Sequence, residues 1–380
     1  MAFVMREGWK EEPQSITGAE YVEPSATALL QPGQRVAHLF PRSVMREYVL
    51  QRVTDRVWWV GRHFYNALFY VGERSVLLLD VPLGSDTAIL KAVREVTSLP
   101  VTAICYSHFH ADHIGGARKL VAALERPPRV IASEHTDAWM RAFGSDLPLP
   151  TDVVRWPDGA AEFEGTEVRL AGLPRPGHSI DHCAWLLPAE RVGHSADLIN
   201  IDQLPFGGFA GQEPLVLFRP NLQFARDLDF DWFSGGHGNI GERSDFDFYL
   251  SYLDEVARLV QEEVPRPDCT PDLSQTDYID DMDDAAKNRL LSEVDNHFGF
   301  YLHGRQIAAG EEVRSPAGNP FMAGPVGEWA AQRAKAVDEA VPRIIERLRP
   351  QYGRMYNFDH AQPGNVRLMA MAIQPTLPNR

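Results

Sequence analysis

Residues 107–116, with the sequence SHFHADHIGG, constrain the fold of this chain more than any other stretch. They bring three histidines and one aspartate together within the six positions from His108 to His113. The apolar, β-branched run at 101–106 predicts a buried strand, and residues 117–124 after the paired glycines predict a helix. We therefore expect the polar cluster on a loop at the carboxyl end of a strand, where open α/β folds carry functional groups.

The spacing of these four polar side chains predicts a metal site. Imidazole and carboxylate groups are common zinc ligands, and the pattern H-x-H-x-D-H supplies four of them from one loop. On extended backbone His108, His110 and Asp112 have the same parity and would point together, whereas His113 would point elsewhere. Such an arrangement suits two metal ions better than one.

Further motifs surround this loop along the chain. An apolar strand ends at Asp80, His178 lies in the sequence PGHS, Asp197 ends the sequence HSAD, and His237 lies in GGHG. In order and rough spacing the whole series resembles the metallo-β-lactamase-fold hydrolase superfamily, over about residues 46–255. The resemblance implies an α/β (α+β) fold, a four-layer αβ/βα sandwich. It does not fix the substrate, because this fold hosts many chemistries.

The resemblance also implies two metal ions with one shared ligand. The first ion would be held by His108, His110 and His178, the second by Asp112, His113 and His237, and both by Asp197. These ligands favour Zn²⁺ as the divalent ion and are compatible with Fe or Mn. Water between two cations ionises near neutral pH, so hydroxide would attack an ester, lactone, thioester or related bond of a small molecule. Asp112 is the expected catalytic residue; either Asp112 or a group behind the ligands would move a proton to the leaving group.

Six more residues are candidates for the surroundings of the metal site. Asp80, at a strand end near the motif loop, is expected to orient a ligand histidine through its second ring nitrogen. His182 matches no ligand position and is expected to pack or hydrogen-bond behind the ligands. The remaining candidates are four aromatic residues in two loops, namely Phe64, Tyr65, Phe206 and Phe209. The first pair would line the pocket or pack at an edge, and the second pair lies in a Gly-rich loop, either a mobile lid or an ordinary surface loop.

The residue types at two motif positions narrow the set of reactions that the resemblance implies. The second motif position is His110, where flavodiiron-type relatives have glutamate, and position 197 is aspartate, where many β-lactam-hydrolysing relatives have cysteine. Both favour a dinuclear hydrolase. The alternative is a mono-iron dioxygenase of the persulfide-oxidising type, whose members bind one iron through two histidines and one aspartate. A binding protein without turnover is disfavoured by the complete ligand set.

The composition of the chain limits which partners and which cellular location are expected. The 380 residues carry a net charge of −15 without a run of Lys or Arg, so neither nucleic acid nor an anionic membrane surface is expected as a partner. No apolar run is long enough to cross a membrane, and residues 1–14 lack the apolar core of a secretory signal. Three cysteines without paired spacing suit a reducing compartment, so we expect a cytoplasmic location.

The sequence divides into an N-terminal extension over residues 1–45, a catalytic domain over 46–255 and a helical C-terminal addition over 256–380. The extension would drape over the core or pair with another subunit. The addition includes helical patterns over 283–300 and 326–348 and an acidic run at 277–284. Because such helices must bury an apolar face, we expect a lid over the site, an interface in a homo-oligomer (a dimer or higher), or both.

Overall fold

The computed structural model describes residues 13–37, 39, 46–212, 215–265 and 325–373. The first twelve residues, the acidic run at 277–284 and the predicted helix over 283–300 lie outside the described residues. The described part begins with a short parallel strand pair, β1 (Glu20–Val22) and β2 (Gln34–Val36).

Seven strands form the first large sheet, in the order in which they follow along the chain. They are β3 (Val49–Arg52), β4 (Val57–Arg62), β5 (Tyr65–Val71), β6 (Val76–Leu79), β7 (Val101–Cys105), β8 (Arg129–Ser133) and β9 (Asp152–Val154). The strands from β3 to β6 pair antiparallel, and those from β6 to β9 pair parallel. Within this parallel half, the carboxyl end of β7 leads into the histidine-rich loop.

Six strands form the second large sheet, also in chain order. They are β10 (Ala160–Phe163), β11 (Thr166–Gly172), β12 (Cys183–Leu187), β13 (Val192–His194), β14 (Trp232–Ser234) and β15 (Ile240–Gly241). Only β13 and β14 pair parallel within this sheet. Both therefore end at the same edge, so the segments that follow them lie close together.

Helices cover the outer face of each sheet. They are α1 (Asp86–Val96), α2 (Ala111–Ile114), α3 (Ala117–Ala122), α4 (Glu134–Ala142), α5 (Phe218–Arg226), α6 (Arg243–Glu263), α7 (Pro325–Tyr352) and α8 (Phe358–Ala372). Apolar residues of α1, α3 and α4 pack on the first sheet, and those of α5 to α8 pack on the second. None of the helices in the described part of the chain has the length and apolar character that a bilayer crossing requires.

Alternate residues along a strand face different layers, one between the two sheets and the next under the helices. On β4, Trp59 packs between the two sheets, whereas its neighbour Trp58 packs under the helices of the first sheet. On β6, Leu77 lies between the sheets and Leu78 lies under the helices. Both faces of these strands are buried, so the sequence shows continuous apolar runs instead of alternation. The layers run helix, sheet, sheet, helix, and the predicted αβ/βα sandwich is confirmed.

The described part of the N-terminal extension lies on the core of its own chain. Arg35 is fully buried, and its Nη2 lies 2.6 Å from Oδ2 of Asp245, at the start of α6. Asp202 accepts hydrogen bonds from Ser15 Oγ and Tyr21 Oη, each at 2.7 Å. Buried charges need such partners because desolvation is costly. The extension is therefore attached by paired polar groups.

The C-terminal helices share one core with the second sheet. Apolar residues of α6, α7 and α8 form a cluster with Phe233 of β14 and with Leu204 and Phe209 of the segment after β13. The predicted domain boundary between residues 255 and 256 lies inside α6. The division into three regions stays a prediction.

Candidate metal centre

Five histidines and two aspartates converge where β7, β13 and β14 end. They form two groups that share Asp197, and within each group the ligand atoms all lie within 4.8 Å of one another. The first group is His108, His110, His178 and Asp197, and the second is Asp112, His113, Asp197 and His237. These are the seven side chains that the family resemblance assigns to two metal ions.

The loop after β7 supplies residues to both groups because its backbone changes conformation partway. His110 is extended, with φ −66° and ψ 131°, and α2 begins at the next residue, Ala111. In the helical turn Asp112 and His113 come to lie side by side, with His113 Nε2 3.5 Å from Asp112 Oδ2. The parity argument, which placed Asp112 with His108 and His110, is therefore wrong. It assumed that the whole loop was extended.

Asp80 holds the start of this loop. Its Oδ1 accepts a hydrogen bond from the backbone N–H of Ser107 at 2.8 Å, and its Oδ2 lies 2.9 Å from Nε2 of His194. The other ring nitrogen of His194 lies 3.0 Å from Ser234 Oγ. We expected Asp80 to orient a ligand histidine. This prediction was wrong, because the histidine that Asp80 contacts is His194, which belongs to neither ligand group. Asp80 fixes the loop backbone and links it through His194 to β14.

Asp197 lies at the centre of both groups. The nearest imidazole nitrogens to its carboxylate are His237 Nε2 at 2.9 Å from Oδ1, and His113 Nε2 at 3.0 Å, His178 Nε2 at 3.1 Å and His108 Nε2 at 3.6 Å from Oδ2. Burial would raise the pKa of Asp197, but the charge of His113 and the hydrogen bonds from His113, His178 and His237 outweigh it and hold the pKa well below its usual range. The carboxylate is therefore ionised.

Burial also decides the charge of two histidines in the first group. Burial, followed by the charge on His113, lowers the pKa of His108 well below its ordinary value. Burial and the charge on His178 lower the pKa of His110. For His113 burial lowers the pKa, but the Asp197 carboxylate outweighs it and the pKa is raised. Neutral imidazole is the form that binds metal, so His108 and His110 hold that form across the neutral range.

The donor set fits divalent cations. His108 is fully buried, and its Nε2 makes no hydrogen bond to any residue that the structure describes. His110 Nδ1 and His178 Nε2 lie only 2.9 Å apart, so two ring nitrogens face the same point in space. Buried polar atoms are normally satisfied, and a cation bound among these nitrogens and Asp197 would satisfy them together. The superfamily fold and this cluster imply divalent metal ions.

Backbone carbonyls orient two histidines of the set. His178 Nδ1 lies 3.1 Å from Ala210 O, and His237 Nδ1 lies 2.7 Å from Phe64 O. A carbonyl only accepts, so each Nδ1 carries a proton, and each Nε2 is directed at Asp197, where it would be the ligand atom for an ion. Metal-ligating histidines usually have such a partner on the outer ring nitrogen.

A close approach explains the second of the two glycines that follow β14, Gly236. Gly236 has φ +76°, and a Cβ there would lie 2.7 Å from Ala196 Cβ and 2.8 Å from His113 Cε1. A side chain would clash with the site and would need a backbone conformation that L-residues rarely adopt. The glycine lets the segment carrying His237 lie directly against the second group.

His182 lies behind the ligands, as expected. Its Nε2 lies 2.8 Å from the carbonyl of Ala196, and its ring centroid is 5.4 Å from that of His178 and 5.8 Å from that of His108. Burial and the charge of His178 lower the pKa of His182 to about 3. His182 is therefore a neutral donor that holds the residue before Asp197.

The four aromatic candidates divide into two sets. The rings of Tyr65 and Phe206 lie 4.7 Å and 5.5 Å from the ring of His237. Phe64 is 46% exposed beside them, at the turn between β4 and β5. Phe209 does not line the site, because it is fully buried in the core under the C-terminal helices. The prediction for Phe209 is corrected accordingly.

Asp181 was missed by the sequence analysis and connects three segments around the site. Its Oδ2 accepts from the backbone N–H of Phe109 at 2.8 Å and from Thr136 Oγ1 at 2.7 Å, and its Oδ1 accepts from Ser179 Oγ at 2.8 Å. It thereby joins the loop after β7, α4 and the segment that carries His178. Its position three residues after His178 was the only signal in the sequence.

The sandwich and the two ligand groups at its strand ends define a metal-binding α/β protein. Residues 60–237 match the model of the Metallo-beta-lactamase superfamily, and all seven side chains lie within that segment. The chain therefore contains a metallo-beta-lactamase superfamily domain over residues 60–237.

Three relatives illustrate the range of similarity. The beta-lactamase-like protein 2 homolog of Drosophila melanogaster is 27% identical over 52% of this chain and 66% of its own length. A hydroxyacylglutathione hydrolase of Francisella tularensis subsp. tularensis is 24% identical over 66% of this chain and 96% of its own length. Thioesterase pkgB of Emericella nidulans is 24% identical over 52% of this chain and 51% of its own length. Family and relatives place the chain among the metal-dependent hydrolases.

Proposed function

We propose that this chain is a dinuclear metal-dependent hydrolase that cleaves an ester, lactone, thioester or related bond of a small molecule. The observation that supports this proposal is the pair of ligand groups that share the ionised Asp197. His108, His110 and His178 would hold one ion and Asp112, His113 and His237 the other. Zinc suits these donors, and iron or manganese would be compatible with them.

When bound, two divalent ions lower the pKa of a water held between them and polarise the carbonyl under attack. The residues of the chain supply the rest of the chemistry. Asp197 is held in its ionised form and fixes the distance between the two ligand groups. The Asp112 carboxyl is 43% exposed and faces the open side of the second group, so it is placed to accept a proton and to deliver it to the leaving group.

Relatives and surroundings favour a thioester or ester with an apolar substituent. Two similar proteins are a hydroxyacylglutathione hydrolase and a thioesterase. The aromatic rings of Tyr65 and Phe206 lie against His237 on one side of the site, and the exposed side chain of Phe64 belongs to the residue before Tyr65. Such rings bind an apolar acyl or aromatic group by contact and by water exclusion. We therefore assign the small-molecule substrate an apolar group beside the scissile bond.

The test combines metal analysis with a substrate panel. We expect elemental analysis of the purified chain to find two divalent ions per chain, with zinc restoring turnover to chelated protein. Aryl and acyl thioesters, lactones and aryl esters should be hydrolysed, with release of thiol or alcohol. One iron per chain, together with oxygen consumption on a thiol or persulfide substrate, would overturn the proposal in favour of the mono-iron dioxygenase.

Location and assembly complete the proposal. Cys105 and Cys183 are buried free thiols, which suits the reducing cytoplasm. The acidic net charge of −15 supports a small-molecule partner in place of nucleic acid or an anionic membrane.

We also propose a homo-oligomer in which the C-terminal region takes part. Light scattering on the purified full chain tests it, and a monomer at micromolar concentration would contradict it.

A further inference from the structure

The segment at residues 205–212, here called the 205–212 loop, contacts both ligand groups without supplying a ligand. The carbonyl of Ala210 lies 3.1 Å from His178 Nδ1, and Gln212 Nε2 donates to the carbonyl of Asp197 at 2.7 Å. Gln212 is almost completely buried. The orientation of His178 and the backbone of Asp197 thus both depend on the position of this loop.

The loop has a backbone conformation that it does not favour by itself. Gly208, Phe209, Ala210 and Gly211 have φ values of 73°, 50°, 56° and 74°. Four consecutive residues are therefore left-handed, and two of them are not glycine. Such residues persist only where the surrounding structure determines them. The loop needs contacts from outside to keep the Ala210 carbonyl directed at His178.

Asn365 on α8 supplies the main polar contacts. Its Oδ1 accepts from the backbone N–H of Phe209 at 2.8 Å, and its Nδ2 donates to the carbonyl of Pro205 at 3.0 Å. Asn365 is fully buried. The preceding helix residue, Gly364, packs so closely that a Cβ would lie 2.9 Å from the backbone nitrogen of Gly208. The helix thus holds the loop at Pro205 and at the start of its left-handed stretch.

We propose that Asn365 is a positioning residue for the metal centre, acting through the 205–212 loop on His178 and Asp197; this inference rests on the proposed metal site. Asn365 lies far beyond the segment that matches the superfamily, residues 60–237. It binds no ion and contacts no substrate. It fixes the carbonyl that orients His178, and outer partners of this kind typically change metal affinity 10–100-fold when removed. The C-terminal region therefore contributes to metal retention.

The experiment compares Asn365→Ala with Gln362→Ala, a matched control on the same helix. Gln362 is also a fully buried amide, but its Oε1 accepts from Tyr252 Oη at 2.7 Å and has no bond to the loop. Each zinc-loaded protein is mixed with a chromophoric chelator, and the rate of zinc release is followed. We expect Asn365→Ala to release one of its two ions about tenfold faster than the wild-type protein. Gln362→Ala should lose a similar amount of thermal stability and release zinc at the wild-type rate.

A second readout separates positioning from general loosening. The cobalt-loaded Asn365→Ala protein should show a changed visible absorption spectrum, because the His178 ring loses its fixed orientation, and the Gln362→Ala spectrum should match the wild type. Equal zinc release from all three proteins, or equal acceleration in both variants, would overturn the inference.

If Asn365→Ala does not fold, Asn365→Asp serves as the test variant. It keeps the volume and the acceptor for Phe209 but loses the donor to Pro205, and release at the wild-type rate would be evidence against positioning. A wild-type chain that binds no metal would instead refute the proposed function.

Discussion

Asp197 combines a left-handed backbone conformation with a side chain that belongs to both ligand groups. It has φ 64° and follows β13, whose parallel partner β14 ends beside it. The backbone N–H of Asp197 donates to Gly235 O at 3.0 Å, which turns the chain out of the sheet and directs the carboxylate between the two groups. Aspartate tolerates the left-handed region better than most residues. The sequence analysis identified the residue, but only the backbone turn explains why it can face both groups.

Replacing Asp197 should affect both ions, whereas replacing Asp112 should affect one. We expect Asp197→Ala to fold, at a cost of about 1 kcal/mol for alanine at positive φ. Turnover should fall more than about a hundredfold, because even outer partners of metal ligands are worth 10–100-fold. Elemental analysis should find both ions depleted in Asp197→Ala and only one in Asp112→Ala. Two retained ions and wild-type turnover in Asp197→Ala would show that Asp197 is not the shared ligand.

At the scale of elements, apolar patterns predicted strands well and their ends less well. β7 lies at residues 101–105, within the apolar run at 101–106 that predicted it. β13 ends at His194, because the N–H of Asp197 bonds to Gly235 and the chain leaves the sheet. The start of α2 at Ala111 was missed because a short turn lacks enough periodicity to be recognised.

Contacts between elements that are distant in sequence were beyond prediction. The bond between Phe209 and Asn365 joins residues separated by 156 positions. The Gly-rich composition around Phe209 suggested an exposed loop or a lid. The structure instead shows left-handed backbone held under α8, with the Phe209 ring in the core. Local sequence carries no information on which helix will cover a loop, so this part of the site had to come from the structure.

The turn between β4 and β5 offers a test of substrate choice that spares the metal ligands. The carbonyl of Phe64 bonds to His237 Nδ1, and the Phe64 side chain is exposed at the same turn. Phe64→Ala removes the ring and keeps the carbonyl. We expect kcat/KM to fall about tenfold for thioesters with an aromatic or long acyl group, since burying an aromatic side chain is worth roughly 1.5–3 kcal/mol.

For acetyl thioesters the same change should cost about twofold or less, with both ions retained, because a short acyl group does not reach the ring. Steady-state kinetics over an acyl series, together with zinc content, measures the difference. Equal losses for short and long substrates would indicate that Phe64 does not contact the acyl group.

At the scale of the whole molecule, both ends of the described chain are tied to the region behind the metal site. The N-terminal extension reaches Asp202 and Asp245, and α8 reaches the 205–212 loop. Asp202 lies between these attachments, also with positive φ, and its neighbour Ile201 forms a bridge to Gly238 beside His237. Stability of the N-terminal attachment is therefore linked to a buried carboxyl group close to the site.

That carboxyl group predicts a pH dependence. Burial, followed by the charge of Asp245, raises the pKa of Asp202 to about 6, although Ser15, Tyr21 and Arg35 oppose the shift. The folded pKa is above the ordinary value of 3.8, so the native state binds the proton more tightly than the unfolded chain. The contribution to stability is present below the unfolded pKa and is lost as the pH rises through about 6. Its upper size is roughly 3 kcal/mol, from 1.36 kcal/mol per pKa unit.

Asp202→Asn should remove this dependence while keeping the shape of the side chain. Its Oδ1 can still accept from Ser15 Oγ and from the backbone N–H of Ile16, as Asp202 Oδ1 does. We expect the stability advantage of the variant over the wild type to grow between about pH 4 and pH 6 and to level off above. Urea unfolding of both proteins across that range measures it, and subtracting the two curves cancels the titration of the metal-site histidines. A difference in unfolding free energy that stays constant with pH would show that folding does not shift the pKa of Asp202, with its hydrogen bonds and Arg35 offsetting its burial and the charge of Asp245.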